Sequence, residues 1–175
     1  NPESAILSGL VGSEMCIRDR LVYFGVTITI ALLLWATPNV GLYDAVAHGL
    51  STAAIGGFST KNGSIGSFDS YIVELIIVFG MFIGAMNYNL QYKFWKSKGN
   101  FRVFTRSSEW KLYVRITLSF IGVIFLMNWL MESVDVGTAF RDSLFNVVTL
   151  ASSTGFGNVR PDGICLLYTS DAADE

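Results

Sequence analysis

Side chains that perform chemistry are scarce in this sequence. It has one histidine, His48, and two cysteines, Cys16 and Cys165. Its apolar segments contain no paired carboxylates and no His/Asp/Glu cluster, so neither a membrane enzyme nor a resident cofactor is expected. Charge is also sparse. Asp, Glu, Lys and Arg make up 15% of the chain, against 51% apolar residues. A soluble domain carries about 25% charged residues, so this composition excludes an ordinary soluble enzyme and points to a membrane. Only three prolines occur, and none lies inside a long apolar run, where it would break a helix.

The two ends are set apart. Met15-Cys16-Ile17-Arg18-Asp19 and Cys165-Leu166-Leu167-Tyr168-Thr169-Ser170 match in-frame translations of the two strands of a transposase-type sequencing adapter. Segments 1–20 and 165–175 are therefore read as adapter-derived and excluded from fold reasoning. Both cysteines fall there, which removes any disulfide or thiol argument. Residues 21–164 hold ten basic and eight acidic residues, a slightly basic balance. The chain is expected to be an internal fragment of a longer protein.

Three runs are apolar enough to be helical spans: Leu21–Ala36, closed by Thr37-Pro38-Asn39, then Tyr71–Tyr92 and Leu112–Met131. A span needs about 20 residues. Two shorter amphipathic stretches, Gly41–Thr52 and Val136–Ala151, do not reach that length as apolar spans and are expected to be re-entrant or interfacial. Gly80 and Gly84 form a small-xxx-small packing face. Lys93–Lys111 is a basic linker with Glu109 as its one acid. By the positive-inside rule it is cytoplasmic, and it is read as a routine loop between spans, not a nucleic-acid site. With the linker inside, both short helices open to the outside.

One phrase occurs twice. Thr52-Ala53-Ala54-Ile55-Gly56-Gly57-Phe58-Ser59 follows the first short stretch, and Ser152-Ser153-Thr154-Gly155-Phe156-Gly157-Asn158 follows the second. Gly57 and Gly155 stand 98 residues apart, too long a period for a solenoid. Small residues and glycine let backbone carbonyls approach a bound species. Exposed carbonyls are tolerated in a membrane where they line a cavity, and rings of them replace an ion's hydration shell. The pattern predicts an all-α membrane protein of span, pore helix, filter loop and span. Residues 21–92 form one unit, 93–111 the linker and 112–164 part of a second. A helix C-cap would also account for either glycine taken alone.

These residues resemble the Trk/Ktr/HKT superfamily of potassium transporters. The resemblance rests on His48–Thr60 and Arg141–Phe156, their spacing and the basic linker. It implies one and a half units of a four-unit pore, the second unit and most of the third. It implies filter carbonyls and glycines at Ala54, Ile55, Gly56 and Gly57 and at Ser152, Ser153, Thr154 and Gly155, with K⁺ held by backbone alone. Thr52, Phe58 and Phe156 would support the filter. It further implies a multi-pass protein of the bacterial cytoplasmic membrane. The full-length protein would be a homodimer bound to a cytosolic nucleotide-binding subunit. Alternatives are a sodium-permeable member, marked by serine for glycine in the absent first unit, or a scaffold with a vestigial pore. His48 is expected to be packed or hydrogen-bonded. Asp44 and Asp142 either attract cations at the mouth or serve loop solvation, and Lys61 is a candidate for tuning cation entry.

Overall fold

The computed structural model describes residues 2–97, 99–131 and 135–158, and these are helix and loop without a strand. In order they form α1 (Pro2–Trp35), α2 (Leu42–Ala53), a 3-10 turn (Ser64–Phe68), α3 (Tyr71–Gly84), α4 (Tyr88–Lys96), α5 (Arg102–Arg106), α6 (Ser108–Met131) and α7 (Val136–Ala151). Helix α1 runs back through the segment read as adapter. The expected polar exit Val159–Gly163, Lys98 of the linker and segment 165–175 lie outside the described residues.

Helix α1 closes as its sequence predicts. The Thr37 hydroxyl donates to Leu34 O at 2.5 Å, just ahead of Pro38. Helix α2 then folds back against α1. It buries Ala45, His48, Gly49, Thr52 and Ala53, an i, i+3, i+4, i+7, i+8 stripe. The helices meet closely at Gly49, where a Cβ would lie 2.9 Å from the Ala31 Cβ. Helix α3 packs behind both, placing Ile77 and Met81 in a core shared with Leu34, Phe145 and Phe156.

The expected second span is not one helix. It breaks after Gly84, and α4 leaves α3 at 98°. The local chemistry explains the break. The Asn87 side chain accepts from Asn89 N at 3.0 Å and caps the new helix. Gln91 Nε2 donates to Ile83 O at 2.8 Å, a second bond to a carbonyl that also accepts from Met86 N at 3.0 Å, and so ties the new helix back to the end of α3. The linker is also more structured than its composition suggests. Phe94, Phe101, Phe104 and Trp110 pack on one another with centroids 5.0–5.2 Å apart for the closest pairs, folding α4 and α5 onto the start of α6.

Among the described residues, one helix is long and apolar enough to cross a membrane, Ser108–Leu130 in α6, with mean hydropathy 1.6. Counting the bent pair α3–α4 as one broken span makes two. The apolar side chains of α6 point mostly outward: Leu118, Phe120, Val123 and Leu130 are all more than half exposed.

Candidate functional site

Helices α2 and α7 end in the same way. Their C-caps, Ala54 and Ser152, are αR, with φ −78° and −83°. The next residues, Ile55 and Ser153, are left-handed at φ 54° and 59°. Ile55 N bonds Thr52 O and Gly56 N bonds Ser51 O; Ser153 N bonds Leu150 O and Thr154 N bonds Thr149 O. Each is a Schellman closure. Every element of the first recurs 98 positions later. The left-handed cap position usually belongs to glycine. Here a β-branched isoleucine and a serine occupy it, at a backbone cost of roughly 1–3 kcal/mol each. Gly57 and Gly155, at φ 66° and 80°, stand two residues further on. They are not the residues that cap the helices.

This geometry separates donors from acceptors. The N–H groups of Ala54–Gly56 and Ser152–Thr154 are turned back into their helices. Among the described residues, the carbonyls of Ala54–Gly57 and Ser152–Gly155 accept no hydrogen bond. Each loop thus sets unengaged carbonyls at a helix C-terminus, which carries negative partial charge. The arrangement suits a cation.

The two loops touch. A Cβ on Gly57 would fall 2.0 Å from Thr154 O, so only glycine fits at this contact. Gly157 N donates to Ser64 Oγ at 3.2 Å, and Ile65 N donates to Gly157 O at 3.2 Å. Phe156, 2% exposed, stacks on His48 with centroids 6.2 Å apart. His48 is itself held. Its Nδ1 lies 2.7 Å from Asp44 O and its Nε2 2.8 Å from Ser59 Oγ, as expected of a packed, hydrogen-bonded histidine.

Thr52 is fully buried behind its loop. A Cβ on Gly80 would lie 2.7 Å from Thr52 Cγ2, and one on Gly84 3.4 Å from Thr52 O, so the small-residue face of α3 bears on the first loop. Ser152 and Thr154 are buried and bond each other through their hydroxyls at 2.7 Å, while Ser153 and Gly155 are exposed. Phe58 differs from Phe156: it is 82% exposed.

Three pairings were not read from the sequence. Asp44 Oδ1 accepts from the Thr60 hydroxyl at 2.6 Å, and Asp142 Oδ1 accepts from Asn158 Nδ2 at 3.3 Å. Both span 16 residues, and the two clasps are again 98 apart. The first ties α2, and the second α7, to the chain beyond its loop. Lys61 Nζ joins the first clasp, 3.3 Å from Asp44. The repeat could have revealed this, because both aspartates and both partners occupy matching places. The third pairing, Glu74 with Arg141, spans 67 residues, and no spacing rule signals it.

The Thr60 hydroxyl, followed by the bond and charge of Lys61, holds the Asp44 carboxyl below its ordinary value of 3.8 despite an opposing desolvation. A lowered folded value means that the ionised clasp contributes above the ordinary value and is lost as pH falls through the folded one. Thr60→Ala is expected to move the Asp44 midpoint upward, read by ¹³C carboxyl titration. An unmoved midpoint would leave Lys61 as the dominant cause.

Residues 14–162 match a family described as TrkH, cation transport protein. The chain belongs to the TrkH family. That is a family of transport proteins, not of enzymes. The chain is 32% identical over 137 residues to the Trk system potassium uptake protein TrkH of Salmonella typhimurium, covering 78% of this chain and 28% of that protein. It is 30% identical over 137 residues, with the same shares covered, to TrkH of Escherichia coli K12. It is 32% identical over 124 residues to TrkG of the same strain, covering 71% of this chain and 25% of TrkG. The crystal structure of the potassium transporter TrkH from Vibrio parahaemolyticus superposes with a TM-score of 0.80 at 30% identity, covering 84% of this chain and 32% of that one. The chain thus spans about a third or less of the length of the relatives it matches.

Proposed function

We propose that this chain supplies two adjacent quarters of a potassium pathway, with Ala54–Gly57 and Ser152–Gly155 as filter segments. The observation that carries the reading is the duplicated loop, in which equal backbone turns leave equal sets of carbonyls unengaged beside one another. A hydrated K⁺ arriving from outside exchanges water for these oxygens. The C-terminal ends of α2 and α7 favour positive charge there. No side chain transfers a proton.

The contact between the two copies is head to tail. Phe156 and Thr154 of the later copy meet His48 and Gly57 of the earlier one. Such heterologous contacts close into rings when the rotation permits. Phe58, exposed, would then seat on a preceding copy, and Gly155, with nothing within 4 Å of its Cβ direction, would receive the following one. This supports the domain division made above, with residues 21–92 as one unit and 112–164 as part of the next. It also supports a multi-pass protein of the bacterial cytoplasmic membrane, with α6 facing lipid or further helices. The basic linker is its cytoplasmic side, where a nucleotide-binding regulatory subunit belongs in this reading, and the full-length protein is a homodimer. Glycine at both visible filter positions favours potassium over sodium.

The test uses the complete gene, without the adapter-like ends, in a bacterium deficient in potassium uptake. Wild type is expected to restore growth at limiting potassium, and Gly155→Ser is expected to fail. No rescue by wild type would overturn the reading. Equal rescue by the variant would remove Gly155 from the filter.

A further inference from the structure

The Glu74–Arg141 pair lies outside both loops, yet it joins the two helices on which they depend. Glu74 sits in the first turn of α3, and Arg141 in the second turn of α7. Arg141 Nε and Nη2 donate to Glu74 Oε2 and Oε1 at 2.5 and 2.6 Å, a bidentate fork. The side chains are 5% and 18% exposed. The guanidinium also lies 5.5 Å from the centre of the Tyr71 ring.

Two lines of force leave this fork. Along α3, Gly80 and Gly84 bear on Thr52 and the Ala53 carbonyl, directly behind the first loop. Along α7, the helix ends in the second loop. Where the loops meet, a Cβ on Gly57 would sit 2.0 Å from Thr154 O, so the junction has no slack. Apolar contacts between α3 and α7 tolerate sliding. A planar, two-bond fork does not, because it fixes direction as well as distance. Buried ion pairs add little net stability over an apolar replacement, so register is the better account of a pair placed here.

We infer that Glu74 and Arg141 are positioning residues that set the height of the first loop against the second, and thereby the discrimination between potassium and sodium. This rests on the proposed potassium pathway.

The experiment uses the full-length protein in liposomes, with ⁸⁶Rb⁺ uptake competed by K⁺ and by Na⁺. Arg141→Lys keeps the charge but loses the fork. Glu74→Gln with Arg141→Met removes both charges and leaves no buried ion unpaired. Both variants are expected to reach the membrane in normal amount, and the ratio of K⁺ to Na⁺ inhibition is expected to fall about tenfold, equivalent to ~1.4 kcal/mol of lost discrimination. A wild-type ratio in both variants would overturn the inference while leaving the pathway intact. Absence of potassium-competed uptake in the wild type itself would overturn the pathway and the inference together. If the double variant fails to fold, Arg141→Lys decides alone.

Discussion

Gly57→Ala is expected to abolish potassium uptake by the full-length protein, with at least about a hundredfold loss, equivalent to ~2.7 kcal/mol. Two costs combine at this position. Its φ of 66° is left-handed, where a Cβ clashes with the backbone. The added Cβ would also fall 2.0 Å from Thr154 O, a rigid carbonyl and not the end of a flexible side chain. The second loop must therefore move, and with it the carbonyls that both loops present. A control is available nearby. A Cβ on Gly63 would come too close to the Ser67 hydroxyl, at 2.5 Å, which can rotate away, and would make ordinary contacts at 3.8 and 3.9 Å with the Ser67 Cβ and N. Gly63→Ala is expected to transport normally. Uptake of ⁸⁶Rb⁺, normalised to protein in the membrane, distinguishes the two. Substantial uptake by Gly57→Ala would mean that the loops separate without consequence for the ion.

Arg141→Ala is expected to produce the largest loss of stability, about 3–5 kcal/mol, because it leaves a buried carboxylate without its partner. Glu74 is 4% exposed, and among the described residues Arg141 is the cation that pairs with it. The loss would be read as a lower unfolding midpoint in detergent and reduced abundance in the membrane. The accompanying Glu74→Gln/Arg141→Met change removes the orphan charge and is expected to recover most of that stability. The two variants thus separate the penalty of breaking the pair from the function of having it. Equal stability of Arg141→Ala and wild type would show that water reaches Glu74.

Much of this was legible in the sequence. Helix α6 announced itself by its length and hydropathy, since any chain of that composition buries its backbone polar groups in a helix when water is absent. The two short helices and the loops after them were legible because the phrase repeats and because glycine and small residues mark close backbone approach. The packing face at Gly80 and Gly84 followed from their spacing. Other features were not legible. The break between α3 and α4 depends on Asn87 capping a new helix and on Gln91 reaching back to Ile83 O. Hydropathy does not register such side-chain bonds, so Tyr71–Tyr92 looked continuous. Within the linker, the aromatic cluster outweighed the basic residues that dominate its composition.

The sequence by itself determined the class of the molecule, the duplicated loop and the family, because these depend on composition, periodicity and local backbone preference. Only the tertiary structure decided which residues meet across the repeat. The left-handed cap at Ile55 and Ser153 frees Gly57 for contact with Thr154. Phe156 finds His48 while Phe58 stays exposed, and Arg141 finds Glu74 across 67 residues. The physical reason is the same in each case. Local terms act within a turn or two of helix, whereas these contacts join chain segments whose proximity is created by helix packing alone.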